Sequence, residues 1–376
     1  MTRRAFPILL VAVAAAAAVV ATCFLWQPGS TSEIRLGAVL PLTGPSAQYG
    51  MWIREGLELA KEEVNRKGGV NGKPLSIIYE DDQAQPKTAV NAMQKLVSVD
   101  KVPVVYGSWA SSCVLAQAPI AERSRTVLMA EAISPQIRDA GDYVFRMQPD
   151  ARYYIRELVP FVHDKLRIRK IGILYVNNDF GVDQAQVFAE EFERVGGEVL
   201  AKEAFEQNAT DFKTHLTKVK AAGPEAVFAP GYTELAIILK QARELGMKQQ
   251  FVASVPFENP AIIEAAGGAA EGVIYPHHFD PDAADPLVQT YQQAYQGRFG
   301  RRSEGFAALA YDGLRILADV MGKAGTDATA IKEGLYRVKG FPGVTGLTTF
   351  DDHGDVVKPI VIKTVEKGMF VRYRGA

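Results

Sequence analysis

The sequence predicts an α/β fold of two similar lobes, each a parallel sheet covered by helices. Three observations carry this expectation. One pattern occurs twice: from Glu63 to Tyr106 the chain reads helix, Gly68-Gly69, strand, acidic turn, a helix opened by Lys87-Thr88, a second strand and Gly107-Ser108. From Glu191 to Tyr232 it reads helix, Gly196-Gly197, strand, polar turn, a helix holding Lys213-Thr214, a second strand and Gly231-Tyr232. Such an echo marks duplicated β/α units. From Ile34 onward, short apolar runs alternate with amphipathic segments of helical length, the pattern of strands buried on both faces. The polar, proline-bearing crossings Met147–Asp150 and Pro276–Pro281 interrupt that alternation where the chain changes lobe.

The elements follow in order. Apolar runs of strand length are Ile34–Leu40, Leu75–Tyr79, Val102–Tyr106, Thr126–Met129 and Val144–Arg146, then Lys170–Val176, Val199–Phe205, Ala226–Ala229, Phe251–Val255 and Gly272–Tyr275. Between them, helical periodicity covers Tyr49–Arg66, Lys87–Val99, Ser111–Glu122, Tyr153–Leu166, Val182–Val195, Asp211–Ala222 and Glu234–Leu245. Pro286–Phe299, Phe306–Lys323 and Thr329–Arg337 are late helices that need a sheet to cover, and the first lobe supplies it. Thr348–Phe350 and Val356–Lys363 flank the polar turn Asp351–Asp355 and read as a hairpin. The expected division is an export segment and linker over 1–32, a first lobe over 33–151 with about 280–360, and a second over 152–279 with about 361–376, the chain crossing between lobes more than once to make a multi-strand hinge.

Composition narrows the function. With 42 basic against 43 acidic residues the chain offers no basic face for nucleic acid. Arg3-Arg4, the apolar run Phe6–Trp26 and the polar stretch Gln27–Ser32 make an export signal, its signal cleaved or retained as an anchor. Val19-Val20-Ala21 is a small-residue cleavage site, and Val20–Cys23 is similar to a lipoprotein box with Thr22 out of pattern. The body keeps one cysteine, Cys113, which reads as a small buried residue near a helix start.

Motifs of chemistry are missing. No glycine-rich nucleotide fingerprint and no phosphate loop follows a strand. Gly107-Ser108-Trp109-Ala110-Ser111 lacks the second glycine of a nucleophile elbow, and Asp179-Phe180-Gly181 stands without the other kinase motifs. His277-His278, adjacent on an extended segment, are expected to point apart, with no third ligand for a metal. The sequence therefore predicts no enzyme, no catalytic residues, no cofactor and no metal.

Ile34–Pro45 followed by Gln48-Tyr49-Gly50 resembles the opening of the branched-chain amino-acid type periplasmic (type I) solute-binding proteins of ABC importers. So do Asn65–Gly72, Tyr79–Asp82, Asp142–Arg146, Asn178–Gly181, Gly231-Tyr232, and Phe350-Asp351 with Gly354-Asp355. The resemblance runs through nearly all of the chain after the export segment. It implies two Rossmann-like lobes closing over a small solute, and a membrane permease as partner. A monomeric body outside the membrane is the matching expectation. The same cleft serving a membrane signalling partner is the alternative.

Carried over position by position, the resemblance places the ligand carboxylate at Ser111, with Trp109 on the same loop and Ser112 beside it; a hydroxyl and free amides at a helix start suit an anion. The competing role for Ser111 is a helix cap. Tyr49, Phe180 and Tyr232 match aromatic pocket positions, or else are core rings at strand ends. The departures are specific. Glu131-Ala132-Ile133 stands where the family has a small residue, Ala, then Thr or Ser, so a hydroxyl is lost. The family's acidic partner for a ligand ammonium falls on Val255; Glu258 or Glu131 is the candidate replacement, each otherwise a solvated glutamate. The expected ligand is a small carboxylate, amide or amino-acid-like molecule, with aromatic ones favoured by the rings.

Overall fold

The computed structural model describes residues 33–374. Its first sheet is wholly parallel: β1 (Ile34–Leu40), β2 (Leu75–Asp81), β3 (Val104–Tyr106), β4 (Val127–Ala130) and β5 (Val144–Arg146), in the order β2-β1-β3-β4-β5. The second begins with β6 (Lys170–Val176), β7 (Glu198–Phe205), β8 (Ala226–Ala229), β9 (Gln250–Ala253) and β10 (Ile274–His277), also parallel. A small antiparallel pair, β11 (Phe341–Gly343) and β12 (Gly346–Thr348), stands apart. The last strands, β13 (Val361–Glu366) and β14 (Met369–Arg372), join the second sheet antiparallel beside β10. The chain thus leaves the first sheet after β5, quits the second after β10, and returns to it at β13, the three passages of a multi-strand hinge.

Helices cover both sheets: α1 (Ala47–Arg66), α2 (Pro86–Ser98), α3 (Ser111–Ser124), α4 (Ala151–Pro160), α5 (Asp179–Arg194), α6 (Lys213–Ala221), α7 (Leu235–Glu244), α8 (Pro260–Ala266), α9 (Pro286–Phe299), α10 (Gly305–Ala324) and α11 (Ala328–Tyr336). β1 is buried at every position except Arg35, which is why it reads as a continuous apolar run and not an alternating one. The late helix α10 lies against α1 of the first lobe. The contact is close enough that a Cβ on Gly56 would sit 2.1 Å from the Ala307 carbonyl oxygen, so only glycine fits there.

The structure departs from expectation in one helix and in the tail, where the β11–β12 pair was not expected either. Helix α8 was not anticipated; Asn259 caps it by accepting from the Ala261 N–H at 3.0 Å, and Pro260 takes the first position. The tail hairpin shrinks to one bridge, Phe350 with Val356, and Val361–Glu366 pairs with β10 and β14 instead. The polar turn is held elsewhere: Arg138 bonds Asp351 at 2.7 Å and Asp355 at 3.0 Å, and Arg146 bonds Asp355 at 2.6 Å. The turn is thereby tied to the first lobe while the strand after it departs for the second. The readings on residues 1–32, Cys23 included, lie outside the described residues. Among the described residues no helix is long and apolar enough to cross a membrane.

Candidate binding cleft

Strand-end loops of both lobes meet at one buried place. β3 ends at Tyr106, and Gly107 turns the chain at φ +112°; a Cβ there would lie 2.0 Å from the Val39 carbonyl oxygen. That turn delivers Trp109 and the start of α3 at Ser111, while the end of β4 delivers Glu131, Ala132 and Ile133. From the second lobe, Phe180 opens α5, Tyr232 follows β8 and Pro256 follows β9. Together with Gln148 and Phe306 these residues line a cavity that their own side chains nearly close, leaving about 10 Å³.

Rings do most of the closing. Trp109 stacks on Tyr49 with centroids 4.2 Å apart and planes 9° from parallel, and it also meets Tyr232 of the opposite lobe at 4.9 Å and Phe306 at 6.3 Å. Tyr232 in turn stacks on Phe180 at 4.8 Å. Tyr49 does not line the cavity; it stands behind Trp109, and its hydroxyl donates to the Pro256 carbonyl at 2.7 Å, a bond from one lobe to the other.

Ser111 is the first residue of α3, with Ala110 in the capping position, so it does not cap its helix. Its Oγ instead accepts the Ser134 N–H at 3.2 Å. The first-turn amides of a helix have no intrahelical acceptor. Ser134 passes the connection on: its hydroxyl donates to Asp183 of α5, which also receives the Gln136 amide at 3.1 Å. This bridge joins the lobes beside the cavity.

Glu131 is no surface residue. It is 1% exposed, and its Oε1 accepts the Tyr106 hydroxyl at 2.6 Å while Oε2 has no hydrogen-bond partner. Burial raises its pKa well above the carboxylate range, the Tyr106 bond opposing and Glu304 adding to the rise. Glu304, which caps α10 through the Phe306 and Ala307 amides at 2.7 and 2.8 Å, is itself pushed up to about 8, chiefly by burial. Beneath the loop, Asp82 accepts the Ser108 hydroxyl and is pushed up to about 6 by burial.

Two expected residues sit elsewhere. Glu258 turns away from the cavity: it pairs with Lys363 at 2.5 Å, accepts the Tyr275 hydroxyl at 2.8 Å and lines a separate groove of about 840 Å³ between the lobes. With that buried cation satisfying it, Glu258 is not available to a ligand ammonium in the cavity. Ser112 is half-buried and outside the lining, because it points along α3 one position past Ser111. Val255 is buried and apolar, as its side chain dictates. Gln148, Pro256 and Phe306 were missed; Gln148 and Pro256 lie in proline-bearing turns, a signal for a bend with no hint of a cleft. His277 and His278 do not point apart. His277 ends β10, so alternation stops there, and the rings stack at 4.5 Å. Both are buried, which lowers their pKa values well below the ordinary imidazole range, and His278 Nδ1 shares a 2.6 Å bond with the Tyr154 hydroxyl.

Comparison with known proteins supplies the context. The family model of the periplasmic binding proteins matches residues 33–369. A leucine-, isoleucine-, valine-, threonine- and alanine-binding protein of Pseudomonas aeruginosa is 29% identical over 333 residues, spanning 87% of this chain and 88% of its own length. Among solved structures, a leucine-binding protein from Thermotoga maritima superposes with a TM-score of 0.87 at 27% identity, over 90% of this chain and 97% of its own. A branched-chain amino acid transporter substrate-binding protein from Streptococcus pneumoniae, in complex with isoleucine, superposes with a TM-score of 0.85 at 27% identity, over 91% of this chain and 100% of its own.

Proposed function

We propose that this chain, which belongs to the periplasmic binding protein family in its branched-chain amino-acid type, captures a small organic ligand between its lobes and hands it to the membrane permease of an ABC importer. The family is one of solute-binding proteins, and the reading here is binding without catalysis. One observation carries it: loops from both lobes enclose a cavity whose wall holds a helix start, the Ser111 hydroxyl and an unsatisfied buried carboxyl. Such convergence of a few polar groups within an apolar lining is how small-molecule sites are built. We assign the lobes to 33–151 with about 280–360 and to 152–279 with about 361–376, in keeping with the two sheets. Residues 1–32 act as the export signal or anchor, placing the body in the periplasm or on the outer face of the membrane as a monomer.

The ligand class follows from the lining. The Pseudomonas relative is named for leucine, isoleucine, valine, threonine and alanine, and the Streptococcus protein holds isoleucine. Here Ile133 cannot donate to a carboxylate and Val255 cannot pair an ammonium, and Glu258 is already held by Lys363. A buried ammonium without an anion is costly. The cleft therefore favours a carboxylate or amide, aromatic ones included, over leucine, isoleucine and valine. A thermal-shift screen of amino acids, aromatic and aliphatic acids, amides and polyols is the test, since a ligand that binds only the folded state raises the melting temperature. One class should stabilise the protein, and scattering should show a more compact molecule with it. Sub-micromolar titration by leucine, isoleucine or valine would overturn the specificity, and no stabilisation by any solute would overturn the binding role.

A further inference from the structure

One polar atom in the cavity wall is left unsatisfied by the protein itself. Glu131 Oε2 is buried and takes no hydrogen bond, while Oε1 accepts the Tyr106 hydroxyl at 2.6 Å. Because a tyrosine hydroxyl donates to Oε1, a proton on this carboxyl belongs on Oε2. Apart from that Tyr106 bond, nothing nearby favours the anion. No Lys or Arg lines the cavity, and Glu131 enters no ion pair among the described residues. A carboxylate removed from water without a cation is held most cheaply as the neutral acid. Other donors join it in the wall: Ser111 Oγ accepts from Ser134, which leaves its hydroxyl proton to give, the first-turn amides of α3 point from the same helix start, and Gln148 brings an amide that can donate or accept.

We infer that Glu131 is a specificity residue whose Oε2 hydroxyl donates to an acceptor oxygen of the ligand, so that the cleft selects carboxylates and carbonyl compounds against zwitterionic amino acids. This rests on the reading of the cleft as the ligand site. A carboxylate meets a hydroxyl, an acid proton and helix amides, and Gln148 can turn its NH2 to it as well. The ammonium of the parent amino acid meets Ile133, Pro256, the neutral Gln148 amide and rings, and gains an anion only if Glu131 ionises. Of the titratable groups around Glu131, Glu304 ahead of α10 opposes ionisation with burial, the Tyr106 bond from β3 favours it and is outweighed, and Tyr154 from α4 is bonded to His278. Arg146 gives Nε to Asp355 and Nη1 to the Ser134 carbonyl at 2.8 Å, and its Nη2 lies 3.9 Å from Asp150 with no hydrogen bond.

Matched pairs separate the two modes. Isothermal titration at neutral pH compares 4-methylpentanoate with leucine and 3-phenylpropanoate with phenylalanine, on the wild type, Glu131→Gln and Glu131→Ala. Gln keeps an acceptor for Tyr106 and an N–H in place of the acid proton. The expected result is that at least one des-amino acid binds about 10-fold or more tightly than its parent, that Glu131→Gln stays within about threefold, and that Glu131→Ala loses about 10-fold. Tighter binding of the amino acids, with a loss of about 100-fold in Glu131→Gln, would make Glu131 the anion for an ammonium and overturn the inference. Unchanged affinity in Glu131→Ala would overturn it too. A wild type that binds neither pair yet is stabilised by another kind of solute also refutes it and leaves the binding role standing; a protein stabilised by no solute refutes both. The comparison of wild-type affinities within each pair stands even if a variant does not fold.

Discussion

The two lobes meet the cleft with different chemistry. The first presents the Ser111 hydroxyl, the Glu131 carboxyl and the start of α3, with Trp109 beside them. The second presents Phe180, Tyr232 and Pro256, and the hydroxyl of Tyr232 is already 3.4 Å from the Asn178 amide. Yet equivalent loops do the presenting: Gly107-Ser108-Trp109 after β3 in one lobe, Gly231-Tyr232 after β8 in the other. A repeated β/α unit determines where such loops emerge and leaves their cargo free to diverge. Selection by polar groups is concentrated on one lobe, and the other is an apolar cover. A ligand whose head is bound by the first lobe can then be dried by the second with no polar group of that cover left unpaired.

The contrast is broken hardest at Trp109, the ring that joins the lobes. Trp109→Ala removes contacts to Tyr49 and Tyr232 and should cost about 3–5 kcal/mol of stability in urea unfolding, the range for a buried large aromatic. A loss under about 1 kcal/mol would mean the rings are not packed as a unit.

Glu304 sharpens the polar side. Its folded pKa is about 8, raised by burial, so the folded state keeps a proton that the unfolded chain releases near the ordinary glutamate range. The stability it contributes is full below about pH 4.5 and is lost as pH rises through about 8, a change on the order of a few kcal/mol. Denaturation across that window should show wild-type stability falling relative to Glu304→Gln. Parallel curves for the two proteins would refute the raised pKa.

Ser111→Ala tests the head-binding lobe. It should weaken ligand binding by roughly 1–3 kcal/mol in calorimetry, with the fold intact. Unchanged affinity would reduce Ser111 to the acceptor for Ser134.

The smallest effect is expected at the bridge between lobes. Asp183→Ala frees the Ser134 hydroxyl and the Gln136 amide and should cost about 1 kcal/mol. Scattering of the free protein should report a larger radius of gyration. An unchanged radius would assign lobe closure to the rings and to the Tyr49–Pro256 bond alone.

The strands show how much was legible. Ile34–Leu40 and Lys170–Val176 coincide with β1 and β6 because strands covered on both faces are written as unbroken apolar runs. The two antiparallel pairs, β11 with β12 and β13 with β14, were not legible, since short half-exposed strands carry no such run. Of the expected cleft residues, Trp109, Ser111, Glu131, Ala132, Ile133, Phe180 and Tyr232 line one cavity. Glu258 does not, because its partner Lys363 lies on a strand whose pairing no local pattern announced.

By itself the sequence determined the order of elements, the repeated loops and the apolar character of Ile133 and Val255, because these are properties of neighbouring residues or of residue type alone. Only the tertiary structure decided what Glu131 is. The same residue on a solvated loop would be an ordinary anion; Phe306 and Glu304, brought from distant parts of the chain, exclude water and oppose its charge, and outweigh the one bond from Tyr106. A carboxyl's protonation depends on how much solvent and how much countercharge surround it, and both are set by packing.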